Sequence, residues 1–352
     1  ASALAHYATV AAAQPNSGAA AVGKARSLLR LNRDEEAKSV AVKLSGHKET
    51  RSEGYYLLGK IAAKQGRHKE AILRLTRVCK DSPEVVDAWL SLARAYVEMK
   101  QAGNAVKSLA QGLGHTPGSY ELYAFAGQIE FEREHYQEAN AYLDKAVSLN
   151  SQALNERKRY ARSLFATRNY RSAAYHAESA SKMAPRDIDV LVLLADIANQ
   201  QGKIGSAIEF LKTAISIDNA SPELQYRIGQ VYQDANLFDA SRSHLERAAA
   251  ILPHWADPHV ALGHLYAERR MFDDAVAEFE KAVELDPSDQ NRAVLNVTFA
   301  ERKKSLEFSN NAPQLLLSDL KLQTLFSAAY KKYQDQPIGS VTVSYTHLTL
   351  PT

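Results

Sequence analysis

A short pattern of small and apolar residues returns every 34 positions, and it limits what this chain can fold into. Gly59, Ala71, Leu75, Val78 and Pro83 set it. Shifts of 34 give Ala93, Ala105, Leu109, Gly112 and Pro117, then Gly127, Ala139, Leu143, Ala146 and Ser151. Ala161, Ala173, Ala177, Ala180 and Pro185 follow, then Ala195, Ala207, Leu211, Ala214 and Asn219. Gly229, Ser241, Leu245, Ala248 and Pro253 precede the last set, Gly263, Ala275, Phe279, Ala282 and Pro287. Seven units run over 52–289 without insertion. A fixed period of this length marks a stacked-repeat architecture.

Within a unit, Ala71, Leu75 and Val78 stand at i, i+4 and i+7, one stripe of a helix. Leu58, Gly59 and Ala62 make the facing stripe of the helix before it. Gly or Ala is required where two helix backbones approach, since a larger side chain overpacks the site by about 1–3 kcal/mol. The proline ends the second helix, and Gly66 and Gly202 fall in the turns between the two. Each unit is therefore helix, short turn, helix, with one apolar face that only a neighbouring unit can bury. The frame extends upstream: Ala25, Ala37 and Ala41 mark a degenerate unit at 18–51. Ala3, Tyr7, Val10 and Pro15 place 1–17 as the second helix of a truncated unit.

These residues resemble the tetratricopeptide repeat, whose pattern carries Trp, Leu-Gly, Tyr, Ala, Phe, Ala and Pro at fixed offsets. Residues 86–119 show Trp89, Leu92, Ala93, Tyr96, Ala105 and Pro117. Residues 256–289 show Leu262, Gly263, Tyr266, Ala275, Phe279, Ala282 and Pro287. Units 154–187 and 222–255 depart most, with Arg157 and Gln225 at the Trp position. The resemblance implies an all-α fold, a right-handed superhelix (an α-solenoid) of antiparallel helix pairs whose first helices line a concave groove. Such a fold hosts many partners and says little by itself about which one.

Beyond the repeats, 290–308 reads as a capping helix. Residues 309–313 (SNNAP) predict a break opening a linker-and-helix segment at 309–336. Leu322, Leu325, Phe326, Ala329, Tyr330 and Tyr333 recur there at helical spacing. Residues 337–342 read as the start of a truncated β-domain. Residues 343–352, VSYTHLTLPT, resemble a translated sequencing adapter and are set aside. On this reading the chain is a fragment of a bacterial protein.

The 43 basic and 40 acidic residues leave a net charge of +3, which gives no bulk attraction to nucleic acid or acidic lipid. No apolar run reaches the roughly 18 residues of a membrane span. One cysteine, Cys79, rules out an internal disulfide framework. It reads as a small interior residue and leaves the compartment open between cytoplasm and periplasm. No phosphate loop, metalloprotease helix or nucleophile elbow occurs. His264 and Glu268 could touch one metal, but a site needs more ligands, so no metal or cofactor is expected.

The resemblance places groove residues at positions 2, 5, 9 and 12 of each unit. It yields Tyr56, Lys60, Arg94, Phe131, Lys158, Arg162, Phe165, Asp196 and Tyr226. Position 2 adds Asp189, Glu223 and Asp257 in the later units. Cations and aromatics gather early and acids late, so an acidic segment would meet the basic half through charge-assisted hydrogen bonds. The alternative is that these charges are ordinary solvated helix faces. The family's carboxylate clamp does not carry over, since Glu121 stands where a lysine is required. The expected function is a non-catalytic scaffold for a protein or extended peptide. The alternatives are the recruiting arm of a larger enzyme, such as a glycosyltransferase, and an envelope or secretion scaffold.

Overall fold

Two stripes and two breakers per unit dictate two helices per unit. A computed structural model of the chain describes Tyr7 and residues 17–317, with side chains to residue 307. Between residues 18 and 317 it holds seventeen helices and no strand. They pair as α1 (Gly18–Arg30) with α2 (Asp34–Gly46), α3 (Arg51–Lys64) with α4 (His68–Asp81), and α5 (Val86–Glu98) with α6 (Ala102–His115). Next come α7 (Tyr120–Glu132) with α8 (Tyr136–Leu149), α9 (Leu154–Ala166) with α10 (Tyr170–Met183), and α11 (Ile188–Gln200) with α12 (Ile204–Ile217). Then follow α13 (Pro222–Asp234) with α14 (Phe238–Ile251), α15 (Ala256–Glu268) with α16 (Phe272–Leu285), and the single helix α17 (Asp289–Leu317). The chain divides into two compact units, Ala1–Asn219 holding α1–α12 and Ala220–Thr352 holding α13–α17.

The pairs are antiparallel because only three residues separate their helices. The middle one is left-handed in every turn. Gly66 and Gly202 hold φ of +74° and +72°, and Asn32, Lys100, Glu134, Arg168, Asn236 and Arg270 fall between +57° and +61°. The next N–H reaches back five residues to close the turn, as Arg67 N to Ala62 O (2.8 Å) and Gln101 N to Tyr96 O (2.9 Å). This is the bond that satisfies an orphan carbonyl at a helix end. Sequence reading found only the two glycines. The geometry belongs to the position, and lysine, arginine and glutamate accept it at about 1–2 kcal/mol each.

Position 8 meets position 24 in the four hairpins where position 8 is Gly59, Gly127, Gly229 or Gly263. A Cβ on Gly127 would lie 2.7 Å from Leu143 Cγ, and one on Gly263 would lie 2.7 Å from Phe279 Cε1. Leu143, Leu245 and Phe279 are fully buried by this fit. Where position 20 is Ser241, its hydroxyl donates to Gly229 O (2.9 Å) at the same contact. Hairpins then share cores. One apolar cluster runs from Tyr56 to Ile129 and another from Ala139 to Ile197, each crossing several helix pairs.

Units 154–187, 222–255 and 256–289 carry polar groups at position 4, and position 23 answers each of them. Arg157 is 8% exposed, donates to Ser151 O (2.9 Å) and lies 3.4 Å from His176 Nδ1. Trp89, at the same position of its unit, also donates to a carbonyl six residues back, Pro83 O (2.9 Å). Gln225 meets His244 (2.7 Å), and His259 meets Glu278 (2.7 Å). The His176 ring sits 4.5 Å from the Tyr160 ring, whose hydroxyl donates to Asp144. Burial, then Asp144, push the Tyr160 phenol up to about 12. Burial, then Arg157, hold His176 below its ordinary value.

α17 passes helically through residues 309–313, where the sequence predicted a break. A proline deletes one ladder bond without forbidding helix on both sides. The expected helix around 322–333, the strand start at 337–342 and the adapter-like tail lie outside the described residues. So does most of the truncated repeat at 1–17.

Three outcomes follow from this packing. Gly127→Val should lower stability by about 1–3 kcal/mol through overpacking against Leu143, read as a lower urea midpoint. Lys100→Gly should raise stability by about 1 kcal/mol by removing the left-handed penalty; an unchanged or lower midpoint contradicts the turn geometry. His176 is held neutral in the fold, so the unfolded chain binds its proton first. Stability should therefore fall as pH drops through 6.5 toward the lower folded value. His176→Gln should flatten that slope in urea titrations between about pH 7 and pH 5.

Candidate functional site

Within the first unit each first helix touches the next, from α1 through α3, α5, α7 and α9 to α11. Their shared surface is fixed by position 9. Arg26 on α1 makes a two-pronged bond to Glu53 on α3 (2.8 and 3.0 Å). Arg94 on α5 lies over the Phe125 ring of α7, 5.7 Å from its centroid. Arg162 on α9 reaches Asp189 on α11 at 3.4 Å. Three cations at one register position each cross to the following first helix, so position 9 lies on one surface of the stack.

The four expected cations separate into two kinds. Lys158 is neutralised by Asp187 (2.6 Å) and Asp189 (3.4 Å), and Arg162 by Asp189. Asp187 also caps α11, accepting from Val190 N (3.2 Å). Burial opposes its charge, but the Lys158 hydrogen bond and that N–H outweigh burial and leave its carboxyl below the ordinary value. Lys60 and Arg94 are exposed, and among the described residues neither has an ion-pair partner. Lys60 lies over its own helix's Tyr56 ring, 5.4 Å from the centroid.

The expected aromatics are spent on packing. Tyr56 is 6% exposed, so its ring backs Lys60 from within the core. Phe131 meets Tyr136 edge-on at 5.7 Å, and Phe165 meets Tyr170 at 5.6 Å, each pinning a first helix to its own second helix. Asp196 sits half-buried on α11 and is engaged by neighbouring groups. In the second unit, Tyr226 packs on Trp255 (4.9 Å) and its hydroxyl accepts from Gln230 Nε2 (2.9 Å). There His264, edge-on to Phe279, borders a cleft of about 820 Å³ with Phe272, Val294 and Val297. Burial holds His264 below its ordinary value. Burial also pushes the Cys79 thiol up to about 12, so it is no nucleophile near neutral pH. No group of three metal-ligating side chains occurs among the described residues. No helix of the described residues is long and apolar enough to cross a membrane.

Sequence reasoning missed Phe125, which holds Arg94, and Asp187, which holds Lys158. Phe125 lies in the unit after Arg94, and Asp187 is the last residue of the unit that carries Lys158, where it caps the next first helix.

Known proteins bear on the same repeats. Tetratricopeptide-repeat models match residues 62–129, 195–236 and 256–289. The chain is similar to anaphase-promoting complex subunit 3 of Schizosaccharomyces pombe, 21% identical over 58% of this chain and 31% of that protein. It is also similar to tetratricopeptide repeat protein 16 of Mus musculus, 25% identical over 73% of this chain and 36% of that one. The chain thus spans about a third of the length of these relatives. The solved structure of Pseudomonas aeruginosa pilF aligns at 17% identity with a TM-score of 0.47, covering 63% of this chain and 98% of that one. With the same helical hairpin repeated in both units and family matches in each, the chain is a tetratricopeptide-repeat protein.

Proposed function

We propose that this protein is a non-catalytic interaction scaffold that binds an extended acidic segment of a partner protein along the first helices of α3–α7. The observation that carries the reading is a pair of exposed cations, Lys60 and Arg94, without ion-pair partners among the described residues and at one register position of consecutive repeats. Carboxylates meeting them would form charge-assisted hydrogen bonds, about twice as strong as neutral ones. Arg26, Lys158 and Arg162 already have carboxylates, so their role is to tie neighbouring first helices together. The family fits this reading, since tetratricopeptide arrays serve as protein-binding surfaces, and two matched relatives are named as a complex subunit and a repeat protein.

Fluorescence anisotropy with labelled acidic, neutral and basic peptides of one length tests the proposal. The acidic peptide should bind tightest and weaken as salt rises. Lys60→Glu with Arg94→Glu should lower its affinity at least about tenfold, the equivalent of 1.4 kcal/mol, with an unchanged circular dichroism spectrum. Equal binding of acidic and basic peptides, or unchanged affinity in the double variant, defeats the proposal.

A further inference from the structure

We infer that the bound segment presents two carboxylates three residues apart on a polyproline-II backbone, one for Lys60 and one for Arg94. This rests on the groove reading above and adds the partner's spacing to it. Lys60 and Arg94 hold the same position on α3 and α5, which are in contact. Packed helix axes lie about 8–10 Å apart. A polyproline-II chain rises about 3.1 Å per residue with three residues per turn, so residues i and i+3 face the same way about 9 Å apart. An extended strand regains a face after two residues, about 7 Å, or four, about 13 Å, and neither matches one helix spacing.

The charge pattern selects the same two residues. Glu53 is taken by Arg26, and Glu121 accepts from Ser119 Oγ (3.1 Å). Asp87 lies in the first turn of α5, where the helix dipole favours a carboxylate. The next position-9 residue, Gln128, is uncharged and donates to Glu132 (2.8 Å). The row of accessible cations therefore has two members, bounded by neutralised Arg26 before it and neutral Gln128 after it. Each cation also rests over a ring, Tyr56 or Phe125. A polyproline-II segment is pre-ordered, which reduces the entropy lost on association.

The test uses the whole chain and three labelled peptides of about twelve residues, identical in composition. Each carries two glutamates in a Pro/Ala host, spaced by two, three or four positions. Anisotropy should show the three-residue spacing binding at least about fivefold tighter than the others. Arg94→Ala and Lys60→Ala should each erase that preference, while Lys107→Ala, on the second helix α6, should keep it. Equal affinities for the three peptides overturn the spacing and leave the groove reading standing. Failure of all three, together with a glutamate-rich peptide, overturns both. A preference that survives Arg94→Ala also overturns the assignment.

Discussion

The architecture depends on one steric condition, that position 8 of each first helix carries no more than a methyl group. The side chain at position 24, leucine or phenylalanine in every one of the seven units but 154–187, where it is Ala177, faces the backbone exposed there, as Leu143 does at Gly127 and Phe279 at Gly263. Helices that close bring their stripes together, and a branched side chain is removed from water on all sides. Leu75, Leu109, Leu143, Leu211 and Leu245 are fully buried at this one register position. Because the condition recurs every 34 residues, neighbouring hairpins within each compact unit meet in the same way and share a core. An insertion in any unit would shift the stripe off its partner, which accounts for a period that never slips over seven units.

That regularity also makes function a matter of surface charge. The first helices present position 9 repeatedly, and what differs from repeat to repeat is whether the next helix supplies a carboxylate. Glu53 supplies one to Arg26 and Asp189 to Arg162, at position 2 of the following unit. These exposed or half-exposed pairs contribute little stability individually. Their larger effect is to remove a charge from the set open to a partner. Lys60 and Arg94 stay in that set, each resting on a ring.

The hairpins, their 34-residue frame and the small-residue contacts were legible in the sequence because sterics ties residue type to position there. The left-handed turns were half legible. Glycine announced two of them, but Lys100, Glu134, Arg168 and Arg270 adopt the same conformation because the short connection imposes it. Arg157 and Gln225 read as departures from the repeat pattern, and the structure explains both by a partner nineteen residues on, His176 and His244. The candidate site was legible as a set of positions and not as a set of available groups. Tyr56 turned inward, Phe131 and Phe165 were consumed by Tyr136 and Tyr170, and Lys158 and Arg162 were neutralised by Asp187 and Asp189. Availability depends on which side chains meet in space, both within a unit and across to the next, which periodicity alone does not encode.

The central claim is that the first helices of the first unit, around Lys60 and Arg94, form the binding face. Backbone-amide chemical-shift mapping with a glutamate-rich peptide tests it most directly. The account predicts perturbations grouped on α3, α5 and α7, fading along the second helices. Perturbations confined to α4, α6 and α8, around residues such as Leu73 and Lys107, would contradict it.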